Sequence, residues 1–415
     1  MRNGETQILR KFVSVTVPTM KKFLLWLVGI VVCIVALLYI FNVDYLLKAV
    51  RVVYLHGKTT AYLDDYTHFD NRIIHKGTPQ PWPQATDYNK VKTTARLNEV
   101  NKQLGTVAYL IIKNDSLWHE SYYDGYGVNS KSNSFSVAKS VVSAAMFKAI
   151  EEGKIKSLDQ RVSDYFPEFN KGLAAQLTVG DLSSMATGMD WDEEYSSAFS
   201  ITTRAYFGTE LEKTMLNIGI AKQPGQAFEY KSGATQLLAM IIVKATGQHL
   251  ADYVSDKFWK PMGAENDALW QLDHEGGIEK AYCCIGSNAR DFSRFGKLFE
   301  HTGNWNGTKI LDSIHVAKMV TPRFAESPQY GYGWWLKTYL GKKMYYMRGH
   351  LGQFVIVIPQ DHLIITRLGH KKGLQVDTKT DPHSNDFYVY VDEAYKMLGL
   401  MKPNEGEGNS KKMVK

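Results

Sequence analysis

Cysteine is scarce in this chain, with three among 415 residues. So few cannot build the disulfide framework of a small secreted scaffold. Cys33 lies inside an apolar run. Cys283 and Cys284 are adjacent, and read as small buried side chains beside Ile285 rather than as a vicinal disulfide. No group of His, Cys, Asp and Glu has metal-ligand spacing, so no metal is expected. A glycine-rich phosphate loop is also missing, and no cofactor is expected. Internal repeats and low-complexity stretches are absent, which excludes solenoids and fibrous arrays.

An evenly spread basic surface is lacking as well. The net charge is +7, but it sits at the ends. Residues 1–22 hold Arg2, Arg10, Lys11, Lys21 and Lys22 against Glu5. Residues 401–415 hold Lys402, Lys411, Lys412 and Lys415 against Glu405 and Glu407. Six of the seven charges are thereby accounted for, and the body is close to neutral. That distribution excludes a nucleic-acid partner. The polar tail, 401–415, reads as disordered.

What is present begins with a nearly unbroken apolar run at 23–41, long enough to cross a bilayer core. No small-x-small cleavage site follows it, so it reads as an uncleaved anchor rather than a signal peptide. The basic residues before it predict a cytoplasmic segment 1–22 and a body on the periplasmic or outer side. Residues 42–85 carry scattered aromatics and read as a lead-in lying on the body.

The chemistry starts at Phe135-Ser136-Val137-Ala138-Lys139, which contains the chain's one Ser-x-x-Lys. Residues three apart on a helix share a face, so Ser136 and Lys139 can meet. A serine hydroxyl is a weak nucleophile until a base takes its proton, and a lysine can do so when burial lowers its pKa. The plainer alternative is a helix N-cap serine followed by a solvated lysine. The apolar residues after the pair (Val141, Val142, Ala144, Ala145, Met146) predict a buried helix and favour the chemical reading. Its N-terminus also supplies backbone N–H groups suited to an oxyanion. Tyr230, after the Pro224-Gly225 turn and before an apolar helix, fits a second proton carrier. Its alternative is an ordinary half-buried tyrosine. Gly352 precedes a buried strand and lets backbone approach a substrate, and the Gln353 N–H can pair with that of Ser136 as an oxyanion hole. The alternative, which the element taken alone favours, is a Gly-containing strand entrance with a surface histidine at 350.

Ser136-x-x-Lys139, Tyr230-x-Ser232 and His350-x-Gly352, in that order, resemble the three motifs of the serine β-lactamase and penicillin-recognising superfamily. The likeness is to its class C-like branch, and within it to 6-aminohexanoate-dimer hydrolases and related esterases. It is supported by Leu177-Thr178-Val179-Gly180-Asp181-Leu182 and by the stretch 287–296. The resemblance implies an α/β fold, with an antiparallel sheet flanked by helices and an all-α subdomain. It implies Ser136 as nucleophile, Lys139 as base and Tyr230 as proton carrier. Ser232, His350 and Gly352 would bind substrate, as would Tyr195, whose alternative is a loop aromatic packed on the body. The chain departs from the lactamase pattern at His350, where lysine is usual, and at Ser232, where asparagine is usual. Histidine is a poor fixed cation at neutral pH, so the grip on a β-lactam carboxylate weakens. No separate carboxylate is seen that could activate the deacylating water.

The hydrolase domain is expected over 86–400. A helix is predicted near 88–104, a hairpin from 107–113 and 117–123, and a helix from Ser136 to Gly153. The middle, 155–300, reads as helix and loop. Strands follow at 332–339, 343–347, 353–359 and 363–368, then a helix at 385–398. The expectation is a membrane-anchored serine hydrolase acting on a small-molecule or peptide-like amide or ester. A cell-wall D,D-peptidase or D-amino-acid amidase, and a binding protein that has kept the fold, are the alternatives.

Overall fold

Asn114 and Asp115 both stand at positive φ, 48° and 61°, as a tight two-residue hairpin turn requires. They join β1 (Thr106–Lys113) to β2 (Ser116–Tyr122). Four further strands follow late in the chain: β3 (Trp335–Tyr339), β4 (Lys342–Gly349), β5 (Gln353–Ile358) and β6 (Leu363–Gly369). They complete a six-stranded antiparallel sheet ordered β2-β1-β6-β5-β4-β3. The computed structural model describes residues 5–377 and 381–402, with side chains over 20–376 and 381–402. The tail expected to be disordered therefore lies almost wholly outside the described residues.

Side chains alternate across the sheet. Tyr109, Ile111, Phe354, Ile356 and Ile365 enter one apolar layer with Leu97, Phe387 and Tyr390 of two covering helices, Ala95–Gln103 and Asn385–Met397. Ala108, Leu110, Val355, Val357 and Ile364 enter the other, with Val141, Phe292 and Phe295 of the helices Ala138–Glu151 and Ala289–Glu300. Burial on both faces explains why β5 reads as a continuous apolar run.

A smaller antiparallel sheet runs Asn71–Ile74, Ala268–Gln271, Ile285–Ser287, Ser132–Asn133. It ties the segment after the apolar helix to the body and ends just before Ser136. Two of its strands come from the middle region, where helix and loop were expected; they are too short for alternation to show.

The stretches that supported the family likeness act here as helix caps. Thr178 and Asp181 form a reciprocal capping box, and Asp181 meets Arg323 at 2.7 Å. Asn288 caps the helix Ala289–Glu300 by accepting from Asp291 N, and Asp291 pairs with Arg294 at 3.0 Å.

The helix expected over 88–104 begins only at Ala95. Thr94 caps it by accepting from Leu97 N at 3.0 Å, and the residues before it are tied to β2 through Asn89 N to Trp118 O at 3.0 Å. At the other end of the chain, Glu5–Ile40 is one helix. Within it Met20–Ile40 has mean hydropathy 3.0 and no burial, so it is long and apolar enough to cross a membrane.

Candidate active site

Phe135 stands at φ +46°, a backbone that costs a residue with a β-carbon about 1–2 kcal/mol. Asn133 holds it there: its Oδ1 accepts from Phe135 N at 2.9 Å, and its Nδ2 donates to the buried Asp65 at 2.9 Å. The bend delivers Ser136 on the single turn Phe135–Val137 that leads into the helix Ala138–Glu151.

One turn on, Lys139 Nζ donates to Ser136 Oγ at 3.0 Å and to the Tyr282 carbonyl at 2.6 Å. Lys139 is 2% exposed. Burial lowers its pKa to about 8, while the charge of Glu193 acts in the opposite sense. A lysine in that range is partly neutral near physiological pH and can accept the hydroxyl proton.

Tyr230 packs its ring 5.2 Å from Lys139 Nζ and against Trp335, with ring centroids 5.5 Å apart. Burial first, and the negative charge of Glu193 second, push its pKa well up; a hydrogen bond with Ser136 opposes them. The phenol therefore stays protonated and beside the serine, as a proton carrier must.

β4 ends against the serine turn. A β-carbon on Gly349 would stand 2.2 Å from Ser134 O. This close approach brings the bend 350–352 and the start of β5 beside Ser136. Gln353 is fully buried, and its amide bonds to His350 O at 3.0 Å and Gly369 O at 2.8 Å. His350 lies edge-on to Phe135 and stacks with Tyr195, with ring centroids 5.5 and 5.2 Å apart. Burial, helped by the charge of Lys372, lowers the His350 pKa to about 4. The imidazole is neutral at pH 7.

Sequence reasoning saw no carboxylate placed to activate the deacylating water, and it did not single out Glu193, which the structure brings to the site. Glu193 accepts from Ser232 N at 2.6 Å and Ser232 Oγ at 2.5 Å, and Tyr195 Oη donates to it as well. It thereby sits at the N-terminus of the helix Ser232–Thr246, where a negative charge is favoured. Its charge acts on Lys139, Tyr230 and Tyr282.

Ser136, Tyr195, Ser232 and His350 line one cavity of about 420 Å³, with Lys139 and Tyr230 packed around the serine. Gly352 does not line it. Its φ is +81°, and a β-carbon there would meet Arg367 Nη1 at 2.6 Å and Asp386 Oδ2 at 3.0 Å. The close approach it permits is to those two side chains.

Cys283 and Cys284, expected as separate thiols, are joined in a vicinal disulfide. The bond follows Tyr282, whose carbonyl holds Lys139. Asp115, Glu300 and His301 bring possible metal-ligand atoms within 4.8 Å of one another at the β1–β2 turn. They do not line the cavity at Ser136, and Asp115 is already paired with His301 at 2.8 Å and Lys297 at 3.6 Å.

Residues 91–388 match the family model described as Beta-lactamase. The 6-aminohexanoate-dimer hydrolase of Paenarthrobacter ureafaciens is 24% identical over 226 residues, 52% of this chain and 57% of that enzyme. Protein flp of Staphylococcus aureus is 23% identical over 40% of this chain and 35% of its own length. The chain thus spans little more than half of these relatives, or less. Among solved structures, a Bacillus anthracis protein provisionally named a 6-aminohexanoate-dimer hydrolase superposes with a TM-score of 0.66 at 21% identity, covering 81% of this chain and 94% of that one. A family VIII carboxylesterase superposes with a TM-score of 0.58 at 16% identity, over 79% of this chain and 100% of the other.

Proposed function

The chain belongs to the beta-lactamase family, and we propose that within it this protein is a membrane-anchored serine hydrolase cleaving an amide or ester bond through an acyl-enzyme on Ser136. The observation that carries the reading is the 3.0 Å contact between Ser136 Oγ and Lys139 Nζ, at a lysine whose pKa is lowered to about 8.

Ser136 Oγ attacks the carbonyl carbon while Lys139 takes its proton. The N–H groups of Ser136 and Gln353 hold the oxyanion. Tyr230 passes a proton to the leaving oxygen or nitrogen as the C–O or C–N bond breaks. Water, activated by the same Lys139–Tyr230 pair, then attacks the acyl-enzyme and releases the acid. Tyr195, Ser232 and His350 orient the substrate. The hydrolase domain is 86–400, with the apolar helix as anchor and the body on the extracytoplasmic side. The Cys283–Cys284 disulfide suits an oxidising compartment there.

Similarity to a 6-aminohexanoate-dimer hydrolase and to a carboxylesterase supports amide and ester bonds as the substrate class. A D,D-peptidase or D-amino-acid amidase ranks second, because neutral His350 gives no fixed charge for a substrate carboxylate. A binding protein that has kept the fold ranks third, because the Ser136–Lys139 pair is chemically competent. The test is intact-mass spectrometry after exposure to a fluorophosphonate, with Ser136→Ala beside the wild type. One adduct on wild type and none on the variant is expected. A well-folded wild type that takes no adduct moves the weight to the binding protein.

A further inference from the structure

The cavity that opens at Ser136 has the helix Tyr45–Val52 as its other wall, through Leu46, Ala49 and Val50, with Val53 just beyond. That helix starts five residues after Ile40, where the long apolar helix ends. Five residues span at most about 17 Å fully extended. A bilayer crossed by Met20–Ile40 therefore lies no further than that from the start of this wall.

The lining suits hydrocarbon. Thr202 and Thr203 border it, but their hydroxyls already donate to Asp192 O at 2.6 Å and Ser197 O at 2.8 Å. Leu47 and Val50 on this helix and Tyr54 just beyond it are 36%, 46% and 62% exposed, and Val50 and Tyr54 also line the cavity. Phe199 adds 71% beside them, next to Ala198, whose carbonyl accepts from Tyr45 Oη at 3.1 Å. Apolar side chains gathered at a cavity mouth mark a surface that meets lipid or ligand.

We propose that this cavity is an acyl-chain site. The substrate is an amphiphilic ester or amide whose linear hydrocarbon chain lies along Ala49 and Val50 with its carbonyl at Ser136. The inference rests on the hydrolase reading and names its substrate class. The Ser136 Oγ–acyl bond forms, the ester C–O or amide C–N bond breaks, and the polar leaving group departs with the hydroxyl proton. Water then releases the fatty acid. The chain is supplied either by a lipid in the adjoining bilayer or by a soluble amphiphile.

The full chain in phosphatidylcholine vesicles, given nitrophenyl acetate, butyrate and octanoate, tests this. Each methylene buried in an apolar lining is worth about fourfold at most. A rise in kcat/KM of about tenfold or more from acetate to octanoate is expected. Ala49→Trp fills the cavity and should lower the octanoate-to-acetate ratio about tenfold. Val50→Glu at the mouth does the same if the tryptophan variant fails to take a fluorophosphonate on Ser136. A flat or falling series, or a ratio unmoved in both variants, overturns the acyl-chain site. Loss of Ser136-dependence for every ester overturns the hydrolase reading instead. A turnover-free arm then remains: Ser136→Ala protein binds a dansyl fatty acid, and Ala49→Trp abolishes that binding. Equal binding by both proteins counts against the site. An ester lipid embedded in the enzyme's own vesicles or in separate ones distinguishes the two supplies, faster cleavage in shared vesicles favouring the bilayer.

Discussion

Glu193 accepts both the backbone N–H and the hydroxyl of Ser232, at 2.6 and 2.5 Å, and so fixes a carboxylate beside the Ser136–Lys139 pair. Its negative charge raises the pKa of Lys139 against the larger lowering by burial. Glu193→Gln removes that charge while keeping the side chain's shape. The Lys139 pKa should fall, and the alkaline-rising limb of kcat/KM should move to lower pH. Turnover at its plateau should drop about tenfold as Ser232 loses its charged partner, equivalent to about 1.4 kcal/mol. A pH–rate profile on a short ester reads both; an unmoved limb rejects the link.

The wild-type profile follows from the same lysine. Only neutral Lys139 can accept the Ser136 proton, and its pKa is lowered to about 8. Activity should therefore rise as pH increases through about 8 and level off above it. Tyr230 is held in its protonated form well above that range. Tyr230→Phe should keep the rising limb, since it leaves the aromatic ring over Lys139 in place. It should lower kcat by about 10²–10⁴. A variant within twofold of wild type would remove Tyr230 from proton transfer.

How far the sequence reaches can be seen in particular residues. The hairpin at Asn114–Asp115 and the meander from β3 to β6 were legible because turn residues and apolar strands act locally. The helix at 88–104 was drawn too long because Thr94's role as cap depends on residues 88–89 being held by β2. Ser136, Lys139, Tyr230, Ser232, Tyr195 and His350 were named from motifs; four of them line one cavity, and Lys139 and Tyr230 pack around the serine. Glu193 was not, because Asp192, Glu193 and Glu194 are adjacent acids and nothing local says which one turns inward. Tyr282 acts through its carbonyl, which every residue carries, so its identity gives no signal. The crowding at Gly352 was not legible because it comes from Arg367, a partner on a different strand.

Gly349 is where the sheet meets the serine turn. A β-carbon there would lie 2.2 Å from Ser134 O, a backbone atom that cannot move aside without shifting Ser136. Gly349→Ala should cost about 1–3 kcal/mol through overpacking. It should also slow fluorophosphonate labelling of Ser136, because the strand and the serine turn must separate. Thermal melts and labelling rates measured together check this. Labelling at the wild-type rate in a destabilised protein would confine the contact to stability.

Asn133 connects that turn to the segment that follows the apolar helix. Its amide nitrogen donates to Asp65 at 2.9 Å and its oxygen accepts from Phe135 N at 2.9 Å. Asp65 is fully buried, and burial raises its pKa while its donors, Tyr206, Asn133 and Gln271 among them, pull the other way. Asn133→Ala removes one donor from a buried carboxyl and the partner of Phe135 N at once. The expected loss is about 1–3 kcal/mol for groups left unsatisfied. Phe135 also loses what holds it at φ +46°, so Ser136 should drift from Lys139. A positioning role predicts that kcat falls more than KM rises and that the Lys139 limb blurs or shifts. A purely structural role predicts a lower melting temperature with the kinetics of the folded fraction unchanged. Steady-state kinetics below the melting transition, across the pH range around Lys139's titration, separates the two.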